Sequence, residues 1–319
     1  VRLREGGWWV LEGDEYRCSS DEPSPKFRHY HPEIGVISAM DYVHQDQFIS
    51  IEETAGLFRG FVDSVSNEGS IFMADTPLIR QYILPSCRVR TVLTGFGEGA
   101  DERILNSGWS DGRNRFILKG IGFDIGLRGR HSCLNAALAS LAAEAAGIPL
   151  GESAKALRSF HGVGGRLETI IERDDLTIIS DLAIYPRSMA EVVSAVAESS
   201  FGNRLGVLFQ PRYTLGDEVD YYAELANVFT DVDLLLLTEP VNFPGISKAF
   251  SFEAARLKEL MPASTLVVEV GPAMKSMGAW SDHVMEGDVW LIMVEPLFPE
   301  PLHSIRKFAT GNSAEPRPM

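Results

Sequence analysis

From residue 176 to residue 294 short apolar runs alternate with amphipathic stretches of helical period, and this alternation constrains the fold more than any other feature. The pattern predicts strands over 176–180, 205–209, 232–237, 265–269 and 288–294. Between them it predicts helices over 188–199, 217–229, 251–260 and 274–285. Strands this short, each followed by a helix, cannot pair as hairpins. They imply a parallel sheet covered by helices on both faces.

The first half is more mixed. Trp8-Trp9-Val10-Leu11 reads as a buried strand with its tryptophans in the core, and Ile34–Met40 as the next strand. Ser50 to Val65 reads as a helix, with Ser50 as cap, Glu52 and Glu53 in the first turn, and an apolar face from Leu57 to Val65. A strand over Ser70–Ala74 and a short helix over Pro77–Ile83 follow. Residues 88–128 are rich in β-formers and glycine. Within them Gly95-Phe-Gly-Glu-Gly99 has no lysine and is followed by acids, so it reads as a flexible loop and not a phosphate cradle. Helices over Ser132–Ala146 and Glu152–Phe160 lead to Gly162-Val-Gly-Gly165, a natural hinge between domains. The expected division is 1–164 and 165–310, with a polar, proline-containing tail over 311–319.

The net charge of −15 argues against nucleic acid or an anionic membrane as partner, since phosphate-backbone binding rests on an excess of Lys and Arg. No apolar run approaches the roughly 18 residues that span a bilayer, and no cationic, hydrophobic leader opens the chain. The three cysteines, Cys18, Cys87 and Cys133, are too unevenly spaced for a zinc site or a disulfide framework. Reduced thiols in the cytoplasm are expected.

Two acidic groups stand out in the first domain. Glu12, Asp14 and Glu15 follow one predicted strand, and Asp41, His44 and Asp46 follow the next. Ligands of open α/β sheets collect beyond the carboxyl ends of strands. Carboxylates with a neutral imidazole suit Mg2+ or Mn2+ whose other ligands are phosphate oxygens and water. The same residues also read as solvated loop acids, and spacing alone leaves both readings open.

Several segments resemble the Mur ligase family in the family's own order. They are Glu12-Gly-Asp-Glu-Tyr16, Lys26-Phe-Arg-His-Tyr30 and Ile34 to Asp46, then Gly129-Arg-His-Ser-Cys-Leu-Asn135. Phe160 to Glu168, Ile179-Ser-Asp181-Leu-Ala-Ile-Tyr-Pro186, Leu208-Phe-Gln-Pro-Arg212 and Val228 to Pro240 continue the match. The resemblance implies the later part of a central ATPase-type domain, a mixed sheet with helices, followed by a Rossmann-like, mostly parallel C-terminal domain. It implies an ATP-dependent amide ligase of peptidoglycan precursor synthesis or recycling. Such an enzyme phosphorylates a UDP-muramyl carboxylate and passes the acyl group to the amine of an amino acid or peptide. By position, Glu12 and His44 match metal ligands for Mg2+ or Mn2+ and serve catalysis. Asn135, Arg166 and Asp181 match ATP contacts, and Arg212 a substrate contact. The separation from Glu12 to His44 (44 − 12 = 32) fits the branch that accepts a tripeptide in murein recycling.

The departures from the family pattern lie around the nucleotide. No G-x-x-G-K-[ST] stretch occurs in this chain, so its phosphate loop is expected upstream in a longer protein. Ser132 stands for an asparagine, Ile184 and Tyr185 for a histidine pair, and Glu295 to Pro301 for a glycine-rich turn. Those changes keep open a second reading of a different class, a catalytically weak or inactive Mur-like scaffold that binds nucleotide or peptide.

Overall fold

The computed structural model describes residues 7–13, 24–41, 50–211, 218–240, 252–271 and 280–294. The chain divides into two compact units. One is Val1–Gly126 with Arg130–Phe160, and the other is Leu127–Gly129 with His161–Met319.

The first unit is built on a four-stranded parallel sheet, β1 (Ile34–Ile37), β2 (Ser70–Ala74), β3 (Arg90–Gly95) and β4 (Glu102–Arg103), in that spatial order. Helix α1 (Ile51–Ser64) links β1 to β2. It begins as its sequence dictates: the Ser50 hydroxyl accepts from the Glu53 N–H at 3.2 Å, with Glu52 and Glu53 in the first turn. Phe61 meets Phe27 edge-on at 5.4 Å. A π-helical turn over Ile79–Ile83 follows β2. Strands β5 (Leu105–Ser110), β6 (Arg113–Leu118) and β7 (Ile121–Ile125) form an antiparallel meander. Its two-residue turns, Asp111-Gly112 and Lys119-Gly120, have positive φ throughout, the twist that matches tight hairpins. Helix α2 (Arg130–Ala145) buries Cys133, Ala136, Ala137, Leu138 and Leu141, and α3 (Leu150–Arg158) follows.

The predicted first strand is not found. Trp8, Trp9, Val10 and Leu11 are all exposed and lie in no strand, so the tryptophans are not core. The physical reason is pairing: the run has no hydrogen-bonded neighbour among the described residues, and β-structure needs paired backbone before it can bury side chains. The second predicted strand stops at Ile37, short of Met40.

The second unit is a six-stranded sheet in the order β12-β11-β10-β13-β9-β8. Its strands are β8 (Glu168–Arg173), β9 (Leu176–Ser180), β10 (Leu205–Phe209), β11 (Leu234–Thr238), β12 (Leu266–Gly271) and β13 (Asp288–Met293). β9 to β13 are parallel, and β8 is an antiparallel edge strand joined to β9 by the Asp174-Asp175 turn. Helices α4 (Pro186–Ser199), α5 (Glu218–Val228) and α6 (Ala254–Leu260) connect successive strands from β9 to β12.

Helices on both faces were expected: the helical residue Trp280 packs on one, and α4, α5 and α6 all lie on the other. Their residues Met189, Val193, Val196, Tyr222, Leu225 and Leu257 form one cluster with Val207, Leu235, Leu237 and Leu291. The reason is topological. Each step from β9 through β12 moves the same way across the sheet, and right-handed crossovers then deliver every helix to the same side. Only the return from β12 to β13 reverses direction. Trp280, on that return, packs on the opposite face with Leu208, Leu234, Leu236, Trp290 and Ile292. Residues 274–279 of the helix predicted over 274–285 lie outside the described residues, and of the remainder only 280 and 281 are helical, so the helix ends short of 285. Gly206 makes room for the close approach there: a Cβ at Gly206 would sit 2.7 Å from the Trp290 indole. Among the described residues no helix is long and apolar enough to cross a membrane.

Candidate functional site

In the second unit the polar residues gather at the two ends of the parallel strands. At the amino-terminal end they satisfy one another. Arg204 forks onto both carboxylate oxygens of buried Asp288, and Oδ2 also accepts from the Trp290 indole N–H and the Met285 N–H. The carboxylate of Asp288 holds the Arg204 pKa above its usual value. Asp233 accepts from the Leu205 N–H at 2.8 Å. This end is a closed structural network.

The carboxyl-terminal end is where an open sheet binds ligands. Ser180, Asp181, Gln210 and Thr238 are buried there. Asp181, directly after β9, is 3% exposed. One carboxylate oxygen accepts from the Leu167 N–H at 2.8 Å and the other from the Ala183 N–H at 2.7 Å. Leu167 has φ +44°, a left-handed conformation that disfavours a side chain. It is tolerated because Asp181 receives its N–H and its side chain packs against the helical-face core. The preceding residues are pinned as well. Gly165 N–H donates to Glu168 Oε2 at 2.9 Å, Leu182 N–H donates to the Gly165 carbonyl, and Val163 bridges Arg166. Arg166 projects from this turn with its side chain exposed, and among the described residues it makes no ion pair.

The short segment Leu127–Gly129 belongs to the same unit. Arg128 is buried and donates to Ser199, Thr169 and Glu172. Burial pushes its pKa down, while Glu172 acts in the opposite direction. Sequence reasoning did not single out Arg128; the signal available was an arginine just before Gly129, whose φ is +86°.

In the first unit Asn135 lies one turn inside α2 with its side chain exposed. Lying that far inside α2, Asn135 does not cap the helix start. Arg130, the first residue of α2, places its guanidinium 4.2 Å from the centre of the Phe96 ring. Phe96 sits in the Gly95–Gly99 loop, which is more tightly held than a flexible loop. Arg103 donates to the Phe96 carbonyl, and Arg80 donates to the Gly99 carbonyl while forking onto Asp75. The aspartate raises the pKa of Arg80. The Arg80–Gly99 and Arg130–Phe96 contacts join residues 19 or more positions apart, so no local pattern announced them.

Glu12 is exposed and follows no strand. Asp41 is half-buried. Asp14, Glu15, His44 and Asp46 lie outside the described residues, as do Arg212 and Cys18. Among the described residues no group of three or more His, Cys, Asp or Glu side chains could hold a metal ion. What remains for a divalent cation is the chemistry of the donor set, oxygen-rich with one imidazole, which suits Mg2+ or Mn2+. Cys87 and Cys133 take part in no disulfide among the described residues.

The two units define the class: α/β domains with the folds of Mur ligases. A murein peptide ligase (mpl) from Psychrobacter arcticus superposes with a TM-score of 0.61 at 19% identity, over 95% of this chain and 63% of that one. The MurF ligase of Thermotoga maritima, solved in complex with ADP, superposes with a TM-score of 0.69 at 16% identity, over 88% and 63%. In sequence the chain is 33% identical to the UDP-N-acetylmuramate–L-alanine ligase of Methylobacillus flagellatus over 254 residues, 75% of this chain and 51% of that protein. No protein-family model matches. The chain thus spans about half the length of the curated relatives it matches. These likenesses support the Mur ligase family at family level, without selecting one member.

Proposed function

We propose that the protein is an ATP-dependent amide ligase of peptidoglycan precursor synthesis or recycling, acting in the cytoplasm on a UDP-muramyl carboxylate and an amino acid or peptide amine. The observation that carries the reading is the sequence relationship to a UDP-N-acetylmuramate–L-alanine ligase over three-quarters of the chain. In the reaction the carboxylate takes the γ-phosphoryl group of ATP and ADP leaves. The amine then attacks the carbonyl carbon, phosphate departs, and the amine loses a proton. Catalysis of this kind is mainly neutralisation of charge around the phosphoryl group.

On this reading Glu12 and His44 hold a divalent cation, which supplies positive charge to the phosphate oxygens. Asn135, exposed on α2, and Arg166, exposed on its pinned turn, contact ATP. Asp181 belongs to the nucleotide side through the segment it organises, and Arg212 binds the substrate's carboxylate or phosphate. Residues 1–164 then act as the central domain and 165–310 as the C-terminal one. The 32-residue separation of Glu12 and His44 favours a peptide amine over L-alanine.

The test follows phosphate release from full-length protein given ATP, Mg2+, UDP-N-acetylmuramate and, separately, L-alanine or the tripeptide. Release that depends on one amine supports the ligase. ATP binding without release for any amine would sink it and favour a nucleotide-binding scaffold. That second reading has its own support in Ser132, Ile184 and Tyr185, where the family pattern carries asparagine and histidines.

A further inference from the structure

We infer that Arg128 is a staple that holds Leu127–Gly129 in the second unit, so that the chain joins the two units by three passages instead of one and their relative movement is confined. This role does not depend on the proposed ligase reaction.

The chain leaves the first unit after Gly126, returns to it at Arg130 and leaves again after Phe160. Between the first two passages lie only three residues, a length that extends over at most about 11 Å. Released from the second unit, this segment would be an ordinary loop of the first, between β7 and α2. Phe160–His161 would then be the sole connection. Whatever holds these three residues therefore decides how the units are linked.

Leu127 is half-buried and lies over Gly162, where a Cβ would come within 3.2 Å of its side chain. Gly129 has no side chain to contribute. The directional hold comes from Arg128. Its buried guanidinium donates through Nε to Ser199 at 3.1 Å, through one terminal nitrogen to Thr169 at 2.8 Å and through the other to Glu172 at 3.1 Å. These acceptors belong to two elements, the end of α4 and the edge strand β8. The Ser199 hydroxyl proton goes to the Val196 carbonyl, which leaves the oxygen lone pairs to accept from Arg128. A planar fork with fixed donor directions can serve three acceptors at once, whereas an ammonium on a flexible stem is a point charge.

A staple confines movement only where the chain beyond it is firm, and the first unit supplies that firmness. Upstream, Arg113 donates to the carboxylate and to the carbonyl of Asp124, two residues short of Gly126. The same guanidinium donates to the Arg158 carbonyl at the end of α3, two residues short of Phe160. That carbonyl is one that a helix end leaves without an internal partner. Downstream, α2 begins at Arg130 itself. Neither side of the segment has slack to give. Domains joined by one linker move freely by default, and three short passages remove much of that freedom.

The experiment compares the full chain with R128A, R128K and the double variant T169V/E172A. It reads hydrogen exchange peptide by peptide, and the spread of separations between the units by small-angle scattering. R128A strands no buried acceptor, because Thr169 and Glu172 are exposed and Ser199 keeps its bond to Val196. In R128A, exchange over 127–131 is expected to accelerate roughly tenfold or more, as for a locally released segment. β6 and β9 should keep wild-type protection, and scattering should report a wider spread of separations. R128K keeps the charge without the fork, so it should resemble R128A. T169V/E172A removes two of the three acceptors and should loosen the segment with Arg128 in place. Wild-type exchange over 127–131 in R128A overturns the inference, and so does faster exchange there with unchanged scattering. Wild-type behaviour of R128K on both readouts overturns it too, since charge alone would then suffice. Should R128A lose protection throughout the second unit, T169V/E172A decides. Local loosening with a wider spread upholds the staple, and wild-type exchange over 127–131 overturns it.

Discussion

Asp181, Asp288 and Arg128 are charged residues in the interior of the second unit, and each is there because hydrogen-bonding partners replace the water it lost. Their residue types were readable in the sequence, but their partners were not. Asp288 and Arg204 are 84 positions apart, so only folding brings them together. Breaking such a pair leaves an uncompensated charge, and D288A is expected to lower stability by on the order of 3 kcal/mol. Urea unfolding of D288A, R204A and the double variant measures it, and strict additivity of the two losses would refute the pair. Asp181 illustrates the limit of motif reading. Its position was legible, whereas the direction of its two oxygens depends on a turn whose left-handed residue, Leu167, carries no sequence mark.

Elements were legible wherever their cause is local. α1 starts at its serine cap, and S50A is expected to cost about 1 kcal/mol in a thermal or urea melt. The meander follows from two turns ending in glycine. The strand β8 escaped notice because six residues, Glu168 to Arg173, have little periodicity and belong to the hinge-like motif before them. Trp8–Leu11 failed for the complementary reason: an apolar run of strand character remains exposed, with no paired neighbour among the described residues. Within the sheet, the Gly206 position is fixed by the strand beside it. G206A pushes a methyl into the Trp290 ring and is expected to cost about 1–3 kcal/mol, the usual range for overpacking. A G206A melt indistinguishable from wild type would show that the contact yields freely.

For the whole molecule, the proposed chemistry predicts dependence on a divalent cation. Chelation should abolish phosphate release, and Mg2+ or Mn2+ should restore it, whereas E12A and H44A should need higher metal concentrations for half-maximal release. Equal metal requirements in wild type and both variants would remove the assignment of these residues. By itself the sequence determined the alternating βα plan of the second unit, the helix starts and the positions of the candidate polar residues. Periods of two and 3.6 residues, caps and turn glycines act over a few neighbours, so a linear pattern can carry them. Tertiary structure alone decided that α4, α5 and α6 share one face, because strand order sets the side on which each right-handed crossover lands. It also decided that Trp8–Leu11 stays exposed and that Asp181 faces two backbone amides, since burial and hydrogen bonding depend on partners far along the chain.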